Sequence, residues 1–294
     1  MLDIKGSIVA LVTPMNEDGS VNYDKLGELL EYQIANSTDA ILIIGTTGES
    51  PTLSHEEDEE VVYYTVKKVN HRVPVIVGSS SNCTETSVVQ SKKFQRLGAD
   101  ALLIITPYYN KTNEEGMIHH FETIANSVEI PIIIYNVPGR TGCAVSVSAV
   151  ERLSKHPNIM GIKEASGNIS YVMKIAKYAS DNFRIYSGND DMIVPVLSAG
   201  GSGVISVLAN ICPQETHDLV MNYLNGKTKE ALDIQLKYLD VINNLFIETN
   251  PIPVKEAMNY LGMNVGGYRL PLYKMTDKNR EILIKSMKEA GLCK

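Results

Sequence analysis

Apolar and polar positions along the 294 residues fall into two alternating rhythms. Eight short aliphatic or β-branched runs are each bounded by Gly, Pro or Thr: Ile8–Val12, Ala40–Ile44, Val73–Val77, Ala101–Ile105, Ile130–Tyr135, Ile159–Lys163, Arg184–Ser187 and Gly203–Val207. Short runs that are apolar throughout predict strands buried on both faces, as in a parallel sheet. Helical patterns lie between them. Ser54-His55-Glu56-Glu57 is a capping box and predicts a helix with Val62, Val66 and Val69 on one face. A second helix runs from Thr84 to a stop at Gly98-Ala99-Asp100.

The strands recur at roughly the 30-residue spacing of a βα unit. Eight such units predict a (β/α)8 barrel, preferred here to a doubly wound sheet, from which strand count separates it poorly. After Leu224 the strand signal ends. Leu232, Leu236, Leu239, Ile242 and Phe246 form a helical stripe, Pro251 and Pro253 punctuate the segment beyond it, and a last helix runs from about Thr276 to Gly291. The expected division is a barrel over residues 1–224, carrying the site, and a helical appendage over 225–294.

Composition narrows the function. With 44% hydrophobic residues the chain can bury a substantial core. A net charge of −7 argues against a nucleic-acid surface. No apolar run reaches the roughly 18 residues of a membrane span, and Met1-Leu2-Asp3-Ile4-Lys5-Gly6 lacks the basic and apolar segments of a leader. Cys83, Cys143, Cys212 and Cys293 are scattered, which fits reduced thiols in a cytoplasm. The six histidines, including His119-His120, show no ligand spacing, so no metal is expected.

In a barrel the chemistry sits at the carboxyl ends of the strands. Lys163 closes the sixth run. A lysine there is either snorkelling to solvent or desolvated, and a desolvated amine becomes neutral near pH 7 and attacks carbonyl carbons. Tyr135 ends the neighbouring strand and is either a proton-transfer group or a core tyrosine. Gly45-Thr46-Thr47-Gly48 is an ordinary turn or a carboxylate cradle of hydroxyls and amides. Arg140, between Gly139 and Gly142, is a surface arginine or a clamp for a second carboxylate. Tyr108 and Tyr109 are aromatic residues in a loop, which need a partner in the site or in another subunit. Gly200-Gly201-Ser202-Gly203 precedes a strand and reads as a tight turn, not a phosphate loop. Glu49 and Glu164 adjoin the site and can orient loops by hydrogen bonding.

Taken together, Gly45-Thr46-Thr47-Gly48-Glu49, Tyr135-Asn136-Val137-Pro138 and Gly161-Ile162-Lys163-Glu164 resemble the pyruvate-dependent class I aldolases of the dihydrodipicolinate synthase / N-acetylneuraminate lyase superfamily. Gly139-Arg140-Thr141-Gly142 and Pro107-Tyr108-Tyr109-Asn110 are similar to its dihydrodipicolinate synthase branch. The resemblance implies a lyase in which Lys163 forms an imine with pyruvate, and the enamine then attacks L-aspartate 4-semialdehyde, with cyclisation. This step belongs to lysine and diaminopimelate synthesis in a cytoplasm. The resemblance also implies that Thr47 holds the pyruvate carboxylate and that Tyr135, Thr46 and Tyr109 form a proton relay. Tyr109 would serve a neighbouring subunit across a tight dimer. Arg140 would bind the semialdehyde carboxylate, and Gly188 and Ile205 would line the pyruvate pocket. No cofactor beyond the covalent imine, and a homotetramer of two tight dimers, are implied.

Some members of the superfamily bind lysine as an inhibitor at the dimer interface. Ser50, His55, Asn82 and Tyr108 match that cleft, but Asp58 stands where a histidine is usual and Thr86 where a glutamate meets the ligand's ammonium. Weak or absent lysine inhibition is expected. Two alternatives remain: a sister lyase acting on N-acetylneuraminate or a 2-keto-3-deoxy sugar acid, and a silent pyruvate-binding protein on the same scaffold. Arg140 argues against the first, and retention of Lys163, Tyr135, Thr46, Thr47 and Tyr109 argues against the second.

Overall fold

The computed structural model describes residues 2–294; Met1, the first residue of the expected barrel segment, lies outside them. Eight strands form a closed parallel barrel in chain order: β1 (Gly6–Ala10), β2 (Ala40–Ile43), β3 (Val75–Gly78), β4 (Ala101–Ile105), β5 (Ile132–Asn136), β6 (Ile159–Glu164), β7 (Arg184–Ser187) and β8 (Gly203–Ser206), with β8 returning to β1. The barrel, not the doubly wound sheet, is therefore the fold.

Every expected run supplies a strand, with ends displaced by a residue or two. The third and fifth strands start after Pro74 and Pro131, because proline has no N–H to give the ladder. The first starts at Gly6 and stops at Ala10. Leu11 and Val12 stay buried, but the Val12 N–H turns to the Asn210 side chain. Apolarity marks burial there, not pairing.

Two packed layers arise from strand alternation. Ile8, Leu42, Ile76, Leu103, Ile133, Tyr135, Met160, Tyr186 and Ile205 fill the barrel interior. Val9, Ile41, Val77, Leu102, Ile134 and Ile185 face the surrounding helices. β6 breaks this rule. Ile159 and Ile162 both belong to the outer layer and Met160 to the inner one. The register shows why: Ile132 pairs with Ile159, but Ile133 pairs with Gly161, so β6 carries one extra residue against β5. Such a bulge reverses the facing of every residue beyond it. Lys163 would point at the helices on a regular strand; the shift points it inward.

The capping box forms at Ser54 and Glu57, and its helix, His55–Val69, buries Val62 and Val69. Helix Thr84–Leu97 ends on Gly98 at φ 98°. The last helix, Asp277–Glu289, starts after Thr276. No helix among the described residues is long and apolar enough to cross a membrane.

The C-terminal stripe needs correction. Helix Thr228–Asn244 buries Ala231, Gln235, Tyr238, Val241 and Ile242, while Leu232 and Leu236 are 42% and 56% exposed. Phe246, just beyond it, is also exposed. The buried face is marked by a polar residue: Gln235 donates to the Asp190 carbonyl and accepts from the Val194 N–H. Reading apolarity alone rotates the helix.

A Cβ added at Gly161 would lie 2.3 Å from the Arg184 carbonyl oxygen. Gly161→Ala must separate β6 from β7 or undo the bulge. A loss of about 1–3 kcal/mol, the usual range for overpacking, is expected in a denaturant titration. Unchanged stability would show that the bulge tolerates a side chain.

Candidate active site

A cavity of about 540 Å³ opens at the carboxyl ends of the strands. Thr46, Thr47, Tyr135, Arg140, Lys163 and Gly188 all line it. Lys163 and Tyr135 are register partners on β6 and β5, and the Lys163 Nζ lies 4.3 Å from the centroid of the phenol ring. Lys163 is only 6% exposed. Burial lowers its pKa to about 8; Asp190 opposes that fall and Arg140 adds to it. Asp190 is itself fully enclosed, its Oδ2 accepting from the Val207 and Leu208 amides at 2.9 and 3.0 Å. Burial raises the pKa of the Tyr135 phenol, while the Arg140 charge and the Thr46 side chain pull it back.

Gly188 makes space for the lysine stem. A Cβ there would stand 2.6 Å from that of Ala165 and 3.2 Å from the Lys163 Cε. Arg140 sits on a single helical turn, Pro138–Thr141, closed by Gly142 at φ 71°. Its guanidinium is exposed at the rim, with Nη2 3.5 Å from the Asn250 carbonyl. Thr47 is buried, and its hydroxyl accepts from the Asn250 side chain at 2.9 Å. Glu164 is buried and accepts from the Asn136 amide at 2.6 Å and the Ser166 N–H at 2.7 Å. It ties the loops after β5 and β6 together.

Three expected residues lie apart from this group. Ile205 belongs to the barrel's inner core, not to the cavity lining. Tyr109 is 91% exposed at φ 68° and does not reach the cavity of its own chain. Asn82 donates to the Tyr108 carbonyl and likewise does not line it. Ser50, His55 and Tyr108 line its outer part, with Asp58 and Thr86 beside them. Burial next to Glu57 and Glu59 pushes the Asp58 carboxyl up to about 7.

The sequence reading missed Asn250, Asp190 and Lys255. Asn250 and Lys255 fall in the region read as an appendage, yet both reach the turn after β2. Asn250 and Lys255 flank the short apolar run Pro251-Ile252-Pro253-Val254, which was their only signal.

A pKa near 8 leaves about a tenth of the Lys163 amine neutral at pH 7. Because the folded value lies below that of the unfolded chain, the unfolded state binds more protons between about pH 8 and 10.5, and this group makes stability rise with pH across that window. Competitive acylation followed by peptide mass analysis should show Lys163 reactivity rising with a midpoint near pH 8. A midpoint at the ordinary lysine value would contradict the desolvated amine.

The chain is similar to known proteins over nearly its whole length. The sequence profile described as the dihydrodipicolinate synthetase family matches residues 3–290. The chain is 54% identical over 290 residues to 4-hydroxy-tetrahydrodipicolinate synthase 1 of Clostridium acetobutylicum, covering 99% of each chain. It is 55% identical over 288 residues to the 4-hydroxy-tetrahydrodipicolinate synthase of Caldicellulosiruptor saccharolyticus, covering 98% of this chain and 97% of that one. The crystal structure of the chloride-inhibited dihydrodipicolinate synthase of Acinetobacter baumannii complexed with pyruvate superposes with a TM-score of 0.96 at 40% identity, over 99% of this chain and 100% of that one. With a closed eight-stranded barrel, a buried lysine on its sixth strand and these matches over nearly its full length, the chain belongs to the dihydrodipicolinate synthetase family.

Proposed function

We propose that the chain is a 4-hydroxy-tetrahydrodipicolinate synthase, a lyase that condenses pyruvate with L-aspartate 4-semialdehyde in lysine and diaminopimelate synthesis. The observation that carries the reading is Lys163, desolvated on the cavity floor against Tyr135. Its neutral amine attacks the pyruvate carbonyl carbon, and loss of water gives the imine. Removal of a methyl proton gives the enamine, which forms the new carbon–carbon bond at the semialdehyde's aldehyde carbon. The amino group of the bound semialdehyde then displaces Lys163 from the imine carbon, closing the ring and freeing the lysine. No cofactor enters this sequence.

Thr47 and the amides beside it hold the pyruvate carboxylate. Tyr135 and Thr46, which line the cavity together, move protons between substrate and solvent. Arg140, charged and exposed at the rim, receives the semialdehyde carboxylate. Gly188 borders the pyruvate site, and Ile205 supports it from below. Tyr109, exposed and in a left-handed conformation, completes the relay of a neighbouring subunit in a tight dimer. Two such dimers make the tetramer. The four cysteines are all free, which suits a cytoplasmic enzyme.

Turnover is to be measured by coupling the condensation to reduction of its product. Lys163→Ala is expected to abolish it. Arg140→Ala should raise the KM for the semialdehyde roughly ten- to hundredfold, the value of a charge-assisted contact, with the pyruvate KM nearly unchanged. Tyr109→Phe should lower kcat roughly a hundredfold or more, the usual share of a proton-transfer group. Turnover with sugar-acid substrates and none with the semialdehyde would contradict the assignment.

Ser50, His55, Asn82 and Tyr108 are the remnant of a lysine cleft whose ammonium site is altered. Thr86 offers no charge, and Asp58 is largely buried with Oδ1 unpartnered. L-lysine should therefore inhibit weakly or not at all, and a sub-millimolar inhibition constant would overturn this.

A further inference from the structure

Lys255 is a second buried lysine, this one wholly removed from solvent, and no step of the reaction uses it. It lies on helix Ile252–Tyr260. Its ammonium donates to Glu49 Oε1 at 2.6 Å, to the Thr13 carbonyl at 3.1 Å and to the Gly267 carbonyl, so all three protons are engaged. The Glu49 side chain is also fully buried, and its second oxygen accepts from the Arg269 N–H at 3.3 Å. Buried ion pairs contribute little net stability, since desolvation offsets their attraction. What such a pair does provide is a fixed position for both partners.

The position fixed here is that of the turn after β2. Its residues Gly45 to Gly48 lie between two non-glycine residues in the left-handed region, Ile44 at φ 44° and Glu49 at φ 59°. Backbone of that kind persists only where its surroundings over-determine it. Three contacts do so. Lys255 holds Glu49 at one end of the turn. The Thr13 hydroxyl donates to the Gly48 carbonyl at 2.7 Å, while the Thr13 carbonyl accepts from Lys255. Asn250, just before the helix that carries Lys255, donates to the Thr47 hydroxyl. Thr46 and Thr47 sit inside this frame and face the cavity.

We propose that Lys255, through its buried pair with Glu49, is a positioning residue for the substrate carboxylate. It holds the turn in the arrangement that presents Thr47 and the adjoining amides to a carbonyl compound on Lys163. The inference rests on the reading of this turn as the pyruvate cradle. It makes the C-terminal helices part of the active site and assigns Lys255 an effect on one group of the substrate only.

The test is borohydride trapping at Lys163 in the full-length chain, read by peptide mass analysis over a range of carbonyl concentrations. Pyruvate is compared with hydroxyacetone, in which a neutral hydroxymethyl group replaces the carboxylate. The double variant Lys255→Met/Glu49→Gln removes both charges and leaves neither stranded. It should keep a cooperative melt, yet need at least roughly tenfold more pyruvate for half-maximal trapping, with hydroxyacetone changed less than twofold. Glu49→Asp, which keeps the charges but shortens the reach, should show the same selective shift in smaller measure, and serves alone if the double variant does not fold. Equal changes for the two ketones, or none, in a folded variant would overturn the inference by making the pair purely structural. Failure of the wild-type chain to trap pyruvate at Lys163 would instead remove the reading beneath it.

Discussion

One extra residue in β6 decides where the amine of Lys163 points. The register shift at Met160–Gly161 reverses the facing of the strand, so Lys163 enters the barrel and not the helix layer. The rest of the site depends on that turn inward. Inside, the ammonium loses water and its pKa falls to about 8, a difference on the order of 3 kcal/mol between the charged and neutral forms relative to an exposed lysine. The same facing sets the amine over the Tyr135 ring. Asp190 keeps the fall from going further, so the amine stays within reach of both protonation states near neutral pH.

Around this centre the barrel and the C-terminal helices act as one support. β5 and β6 carry Tyr135 and Lys163, and Glu164 with Asn136 locks the loops beyond them. On the opposite side of the mouth, the turn after β2 is held by Lys255 and Asn250, both from beyond the barrel. In the proposed reaction the two arrangements address different parts of a pyruvate molecule. One tunes the amine proposed to meet its carbonyl carbon, and the other frames the threonines proposed to meet its carboxylate. Rigid elements on both sides suit a reaction whose reacting atoms must meet at bonding distance.

Much of this was legible in the chain because the signals are local. Apolar runs gave all eight strands, the Ser54 capping box and Gly98 gave helix ends, and the motifs at strand ends gave Lys163, Tyr135, Thr46, Thr47 and Arg140. What escaped depends on tertiary pairing. Nothing in Ile159–Lys163 announces that β6 carries an extra residue, since the bulge exists only relative to β5. Gln235, Asn250 and Lys255 are polar residues turned inward to meet partners distant in sequence, so hydrophobic patterning assigns them to the wrong face or to no site. Tyr109 was legible as a loop aromatic in need of a partner, and its own chain supplies none within the cavity.

The central claim is that the bulge delivers a desolvated amine at Lys163 whose neutral form seeks carbonyl carbons. The most direct measurement is the mass of the chain after incubation with pyruvate and borohydride, followed by peptide mapping. The account predicts one reduced pyruvate per chain, located at Lys163 and absent from the Lys163→Ala variant. An unmodified chain, or an adduct spread over surface lysines and unchanged in Lys163→Ala, would contradict it.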